Sequence, residues 1–219
     1  MIYLWIRGDI MQLGSFSNAV YTFCDWVARL AYINLLWILF TLSGLVFFGF
    51  FPATIAMLAT LRQFIRKNHP PVFQTFWHYY KKEFINSNKL GLIIVAIGFI
   101  LFVNIRFLQS TSNNMSSFLF YSSIIMSCIY FLIICYTMAS YVEVDQPLGV
   151  HIKNALLITI SNPIPSLFII FGFTAVYFAV TYLSGVGFFF SVSILGLVVL
   201  SSANLAYKKV LSKQEKLSA

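Results

Sequence analysis

The chain has 219 residues, of which 60% are hydrophobic and only 9% are charged, and its mean hydropathy is +0.86. A soluble domain carries about 25% charged residues because its surface must be solvated, so this composition excludes a water-soluble domain and requires lipid as the solvent. The net charge of +8 is concentrated beside apolar runs and accompanies no recognition motif, which excludes a nucleic-acid-binding protein and is typical of a membrane protein.

The N-terminal part of the chain predicts an interfacial segment followed by a first membrane span. Residues 1–25 mix polar and aromatic groups, as segments at a membrane surface do. Residues 27–51 are almost continuously apolar and are long enough to cross a hydrocarbon core about 30 Å thick with some tilt. Asp25 and Arg29 lie four residues apart, so we expect them to form an ion pair at the membrane boundary.

The next segment, FGFFPATIAMLATLRQF at residues 48–64, predicts a short helix that begins at Pro52 and ends at about residue 66. A proline starts a helix more readily than it continues one, because it has no N–H to donate. Such a helix reaches only about 22 Å. Short helices of this kind either pack against protein or help to build a binding site, and both interpretations stay open.

Two segments predict amphipathic helices on the cytoplasmic side of the membrane, near residues 72–86 and 148–161. The first follows two prolines, which favour a helix start, and its aromatic residues recur at helical spacing on one face. These residues are Phe73, Phe76, Trp77, Tyr80 and Phe84. Each amphipathic helix either lies in the interface or packs against the membrane domain.

Four further apolar runs have the length of membrane spans. They cover residues 90–107, 118–142, 166–183 and 188–207. The predicted fold class is therefore an all-α, polytopic membrane helical bundle with five long spans and one short, Pro-started helix. We expect a single transmembrane domain over residues 1–207 and a basic tail over residues 208–219.

The positions of lysine and arginine predict the orientation of these helices. Most basic residues lie in segments 62–89 and 208–219, whereas the turns at 109–117 and 184–187 contain none. Because cytoplasmic segments of membrane proteins are enriched in Lys and Arg, the two basic segments are expected in the cytoplasm. The chain is thus predicted to be a multi-pass protein with both termini in the cytoplasm.

The sequence contains no motif that indicates catalysis, a cofactor or a metal. Its three histidines lie far apart and without the spacing of metal ligands. Neither a nucleophile elbow nor a phosphate-binding glycine loop is present. We therefore expect no enzyme activity, no cofactor and no ATP-binding site, so that any energised transport would need another subunit.

Polar residues in or beside the spans are the candidate contacts of a solute or a partner, because such residues are costly in lipid. The candidates are Asn34, Trp37, Pro52, Thr54, Asn104, Arg106, Glu143 and Asp145. Asn34 is expected to form an interhelical hydrogen bond. Arg106 either extends to the headgroups or forms a polar cluster with Asn104. Glu143 and Asp145 either end in water or form an acidic docking point for a basic partner.

The first 110 residues also contain three short motifs that resemble a known family. The motifs are N-L-L-W at 34–37, F-P-A-T at 51–54 and F-x-x-x-Y-K-K-E-F at 76–84. With the surrounding residues 26–65 and 73–91, they resemble the YesL-like bacterial membrane proteins, a family of uncharacterised function. The second half of the chain agrees with that family mainly in hydropathy and length. Many members have an aspartate where the second long span ends, whereas Asn104 stands nearby here.

The resemblance implies a plasma-membrane protein of a Gram-positive bacterium. Such proteins are typically encoded beside ABC importers for oligosaccharides and beside glycan-degrading enzymes. The implied function is that of an accessory integral-membrane protein, with membrane lipid and the permease subunits of a sugar ABC importer as partners. The alternative is a stand-alone transporter or channel for a small solute. That alternative needs a polar cavity near the membrane midplane, for which Asn34, Thr54, Asn104 and Arg106 are the candidate lining.

Overall fold

The computed structural model describes residues 15–66, 68, 70–110, 114–144, 146–182 and 184–218, and all regular structure in these ranges is α-helical. Six of the helices are long and apolar enough to cross a membrane, which confirms the predicted all-α bundle of a multi-pass membrane protein. The helices are α1 (Ser15–Ser43), α2 (Phe47–Ile65), α3 (Val72–Gln109), α4 (Asn114–Glu143), α5 (Leu148–Ser161), α6 (Pro163–Tyr182) and α7 (Ser184–Ser218).

Helix α1 ends in a tight turn before α2. Val46 has φ 65° and ψ −59°, and the Phe47 N–H bonds to the Leu45 carbonyl at 2.8 Å, which is the geometry of a γ-turn. An added Cβ on Gly44 would lie 2.3 Å from the Gly49 Cα, so the close approach of the two helices requires glycine here. The expected ion pair at the other end of α1 is confirmed, since Arg29 Nε lies 2.8 Å from Asp25 Oδ2.

The short helix expected at about 52–66 is present, but it begins at Phe47 and contains Pro52 in its second turn. The expected start at Pro52 was wrong because a proline early in a helix removes only one backbone hydrogen bond. The carbonyl that loses its donor is that of Phe48, four residues earlier. The Asn88 side chain of α3 donates to this carbonyl at 3.0 Å. The Phe48 carbonyl is therefore hydrogen-bonded even though the helix continues through Pro52.

Helix α2 is the most buried span. In its most apolar stretch of 18 residues 61% of the residues are buried, against 11% in the corresponding stretches of α3 and of α4. Small side chains let its neighbours approach closely: Ala53, Ala56 and Ala59 are all buried. On α7, an added Cβ at Gly196 would lie 2.8 Å from Leu61 Cδ1. The core of the molecule is thus built around α2.

Helix α3 is one continuous helix of 38 residues rather than an amphipathic helix followed by a separate span. No proline interrupts residues 85–90, so nothing local ends the first helix. The aromatic face of its first turns packs on α1: Phe76 is fully buried and stacks on Phe40 with ring centroids 5.2 Å apart. The Tyr80 hydroxyl donates to the Phe40 carbonyl at 3.2 Å. This part of the face therefore contacts protein.

Helix α5 has the bounds predicted for the second amphipathic helix. Its buried residues are His151, Ala155 and Ile158, which lie on one face at helical spacing. This face packs on α4, where the Ser140 hydroxyl is 3.0 Å from His151 Nδ1.

Candidate functional site

A cavity of about 600 Å³ lies between α2, α3, the end of α4 and the start of α5, and we call it the charged cavity. Its polar lining residues are Arg62, Tyr79, Lys82, Glu83, Asn86, Tyr141, Glu143, Gln146 and His151. Ile55 and Ala59 of α2 contribute an apolar wall. The volume lies within the range of about 300–1,000 Å³ that is usual for small-molecule sites.

Arg62 of α2 holds the end of α4. Its guanidinium donates to the backbone carbonyl of Val142 and, at 3.3 Å, to that of Glu143. Arg62 Nε also lies 3.2 Å from the carboxylate Oε2 of Glu143. The last carbonyls of a helix have no partner within the helix, so a basic side chain from α2 both satisfies these carbonyls and favours the negative end of the α4 dipole.

Glu143 is held by two arginines. Arg66 lies 2.5 Å from the same carboxylate oxygen that Arg62 faces, and the Glu143 side chain is only 12% exposed. The expectation that Glu143 ends in water or receives a basic partner does not match this geometry. Glu143 is the last residue of α4, and its position in the sequence could not show that α2 ends beside it.

A second polar group on the opposite wall centres on Glu83 of α3. The Tyr141 hydroxyl of α4 donates to Glu83 Oε2 at 2.6 Å. Lys82 Nζ lies 3.8 Å from Glu83 Oε1, and the Lys82 side chain is 59% exposed. Tyr79 accepts a hydrogen bond from Gln63 Nε2 at 3.3 Å, which leaves the Tyr79 hydroxyl proton to donate elsewhere.

His151 closes the cavity on the α5 side. Its ring is buried, bonds to Ser140 through Nδ1 and lies 5.4 Å from the Tyr141 ring. Together these contacts tie α5 to the last turns of α4. Among the residues that the structure describes, no three or more His, Cys, Asp or Glu side chains are grouped as metal ligands would be.

The sequence-derived candidates of α1 and α2 lie in the core rather than in the charged cavity. Asn34 is fully buried and accepts a hydrogen bond from the Val192 N–H of α7 at 3.2 Å. Trp37 Nε1 donates to Thr54 Oγ1 at 3.1 Å, and Thr54 in turn donates to the Phe50 carbonyl at 2.7 Å. The polar atoms of these residues serve helix–helix packing.

The candidates near the other end of α3 are placed apart from those core residues. Asn104 Oδ1 accepts a hydrogen bond from the Ser123 hydroxyl of α4 at 3.2 Å. The Arg106 guanidinium lies 5.4 Å from the Phe102 ring centre, and both Asn104 and Arg106 are exposed. Asn34, Thr54, Asn104 and Arg106 therefore do not line one cavity. Asp145 lies outside the described residues.

Most of the charged cavity was missed from the sequence. Lys82 and Glu83 lie in the first predicted amphipathic helix, and His151 lies in the second. Tyr141 lies at the end of a predicted span. Polar side chains are common at all three places, so none of them indicated a site. One signal was available in the sequence: Glu83 and Glu143 are two of only six acidic residues in the chain, and Glu83 directly follows Lys81 and Lys82.

Comparison with known proteins finds relatives along nearly the whole chain. A family model described as "Protein of unknown function, DUF624" matches residues 30–105. The uncharacterized protein YesL of Bacillus subtilis (strain 168) is 34% identical over 212 residues, which cover 94% of this chain and 98% of YesL.

Two further uncharacterized proteins of the same organism are similar. YteU is 34% identical over 174 residues, covering 79% of this chain and 78% of YteU. YesV is 31% identical over 194 residues, covering 88% and 93%. No solved structure matches the chain.

Proposed function

The chain belongs to the YesL-like family, and on that premise we propose that it is an accessory integral-membrane protein that associates with a carbohydrate ABC importer. The first support is the family resemblance, which implies genes beside oligosaccharide importers. We propose a helper of the permease subunits rather than an enzyme. The YesL-like relatives identified above are all described as uncharacterized, so the partner is the part of this proposal that needs a direct test.

The observation that carries the proposal is the uneven burial of the spans. In the most apolar stretches of α3 and α4 11% of the residues are buried, and in that of α6 17% are buried, against 61% in α2. Large side chains stand outward on these helices, among them Phe99 (65% exposed) on α3 and Ile125 (63% exposed) on α4. Such surfaces suit contact with another membrane protein as well as with lipid.

Capture from native membranes tests the proposal. The full chain with a C-terminal affinity tag is isolated in mild detergent and its companions are identified by mass spectrometry. We expect permease subunits in near-stoichiometric amounts, and isolation of the chain alone across several detergents and lipids would contradict the proposal.

A pair of matched variants locates the contact. Phe99→Ala with Ile125→Ala removes two outward side chains of α3 and α4, and we expect it to reduce capture of the permease severalfold. Phe171→Ala with Tyr177→Ala removes two similarly exposed side chains of α6 (74% and 68%), and loss of capture in this variant alone would place the contact on α6 instead. Equal loss in both variants would indicate a general effect on folding or insertion.

The alternative, a stand-alone transporter or channel, rests on one observation: the charged cavity is large enough for a small solute. Proteoliposomes test it directly. Flux of a small solute that is lost in Lys82→Gln, with the protein still folded, would favour transport. Absence of flux with the purified chain would favour the accessory role.

A further inference from the structure

We propose that the charged cavity binds a small oxyanion, namely a phosphate group carried either by a free solute or by a lipid headgroup. This goes beyond the accessory role, because it concerns a ligand of this chain rather than its partner protein. The inference rests on the cavity's charge balance, on its unused hydrogen-bond donors and on its size.

Among the described residues in and beside the cavity, the cations outnumber the anions by one. Its lining contains the cations Arg62 and Lys82 and the anions Glu83 and Glu143, and Arg66 adds a third cation at Glu143. Both carboxylates are already engaged: Glu143 by the two arginines and Glu83 by the Tyr141 hydroxyl. Each described carboxylate of the lining thus already has a partner, which favours an anion over a cation as the ligand.

Three residues of α3 offer hydrogen-bond donors to a ligand in the cavity. Lys82 has its ammonium group 3.8 Å from Glu83, beyond hydrogen-bond distance, so its protons are available. Tyr79 has its hydroxyl proton available, because its oxygen serves as acceptor for Gln63. Asn86 is exposed and one turn beyond Lys82, so that ammonium and amide lie on neighbouring positions of one helix face.

The surroundings strengthen these contacts. Pro147 and Leu148 at the start of α5 line the cavity, and no side chain caps the first turn of this 14-residue helix. Its first N–H groups thus add partial positive charge to the field that the lysine and arginines create. Ile55 and Ala59 form an apolar wall on the α2 side, and charge-assisted hydrogen bonds are stronger beside such a wall than in open water.

The test uses the purified full-length protein and two probes. In detergent, the thermal unfolding midpoint is measured with sodium phosphate and with sodium chloride at equal ionic strength. In nanodiscs of phosphatidylcholine, the midpoint is measured with and without phosphatidylglycerol. The variants are Lys82→Gln and its neighbour Lys81→Gln, which removes the same charge but lies over the Trp77 ring, outside the cavity.

We expect an anion-specific rise of the midpoint in the wild type and in Lys81→Gln, with about tenfold weaker binding in Lys82→Gln, as the loss of one charge-assisted hydrogen bond predicts. A response to inorganic phosphate identifies a free solute as the source. A response to phosphatidylglycerol alone identifies the lipid headgroup. Absence of both responses, or equal loss in both lysine variants, overturns the proposal.

One further variant guards against misfolding of Lys82→Gln. Asn86→Ala removes a second donor without changing the charge, and the side chain is exposed, so folding should be unaffected. Weaker phosphate or phosphatidylglycerol binding in Asn86→Ala supports the site independently. Unchanged binding in both Asn86→Ala and Lys82→Gln contradicts it.

Discussion

At the scale of single residues, the contact between Asn88 and the Phe48 carbonyl explains how Pro52 is accommodated inside α2. Proline has no N–H, so the carbonyl four residues earlier loses its normal donor. In lipid no water can replace that donor, so the carbonyl needs a partner within the protein. The Asn88 amide replaces it at 3.0 Å and also donates to the Phe84 carbonyl at 2.8 Å.

A double-mutant cycle measures this compensation. Asn88→Ala alone should destabilise the protein by about 1–2 kcal/mol, because it leaves the Phe48 carbonyl without a donor. In Pro52→Ala the new N–H can bond to that carbonyl, so Asn88→Ala should cost about 1 kcal/mol less in this background. Unfolding midpoints in detergent provide the measurement, with Asn86→Ala as the control. Additive effects would show that the two residues are independent.

Arg62 and Arg66 share one carboxylate but differ in their surroundings. The Arg62 side chain is 19% exposed and also satisfies the last carbonyls of α4, whereas the Arg66 side chain is 52% exposed. Burial makes the loss of a paired charge expensive, and exposure makes it cheap because water screens the pair. The two arginines should therefore contribute unequally to stability.

Substitution by glutamine tests this difference. Arg62→Gln should lower the free energy of unfolding by about 2–3 kcal/mol, since it breaks the ion pair and frees two carbonyls. Arg66→Gln should cost less than about 1 kcal/mol. The measurement is again the thermal midpoint of the purified proteins. A larger loss for Arg66→Gln would mean that the α4 carbonyls find another donor in Arg62→Gln.

At the scale of elements, the aromatic face in the first turns of α3 is partly buried in the protein and partly exposed at the protein surface. Phe76 and Tyr80 are buried against Phe40, while Phe73 and Trp77 are 48% and 37% exposed. All four rings lie around Phe40 of α1, with Phe76 and Tyr80 buried and Phe73 and Trp77 partly exposed at the edge of the contact. Sequence periodicity identifies the face but cannot show which of its rings are buried.

Two alanine substitutions on this face should differ in cost. Phe76→Ala should destabilise the protein by roughly 3 kcal/mol, because it empties a packed position between α3 and α1. Phe73→Ala removes a half-exposed ring and should cost less than about 1 kcal/mol. Thermal unfolding in detergent compares the two. Equal, small effects would indicate that α3 begins in the interface and does not pack on α1.

At the scale of the whole molecule, the described residues form six apolar helices, and the other five pack around a core built on α2. Six crossings by the described helices would place Ser15 and Ser218 on the same side of the membrane. The Lys- and Arg-rich segments 62–89 and 208–219 favour the cytoplasm for that side. The charged cavity, which Arg62 and Lys82 line, would then open toward the cytoplasm.

Reporter fusions test this orientation. Alkaline phosphatase is active only outside the cytoplasm, so a fusion after Ser110, between α3 and α4, should be active. A fusion at the C-terminus should be inactive, whereas green fluorescent protein at the same place should fluoresce. The opposite pattern would invert the bundle and would place the charged cavity outside the cell.

Local features of the sequence determined the class of protein and most of its elements. Composition alone requires lipid, and the lengths of the apolar runs predict the long helices. The bounds of α5 and the Asp25–Arg29 pair also follow from the sequence, because each depends only on residues within a few turns of each other.

Only the tertiary structure shows which residues come together in the charged cavity. Arg62 meets Glu143 across 81 positions of the chain, and Tyr141 meets Glu83 across 58. No local rule predicts such pairs, since they depend on how helices pack. In a soluble protein the buried face of a helix is recognised because it is more apolar than the exposed face. In a membrane protein the side chains that face lipid are as apolar as those that face the core. Periodicity therefore could not show which face of each span is buried, or that α2 would become the centre of the bundle.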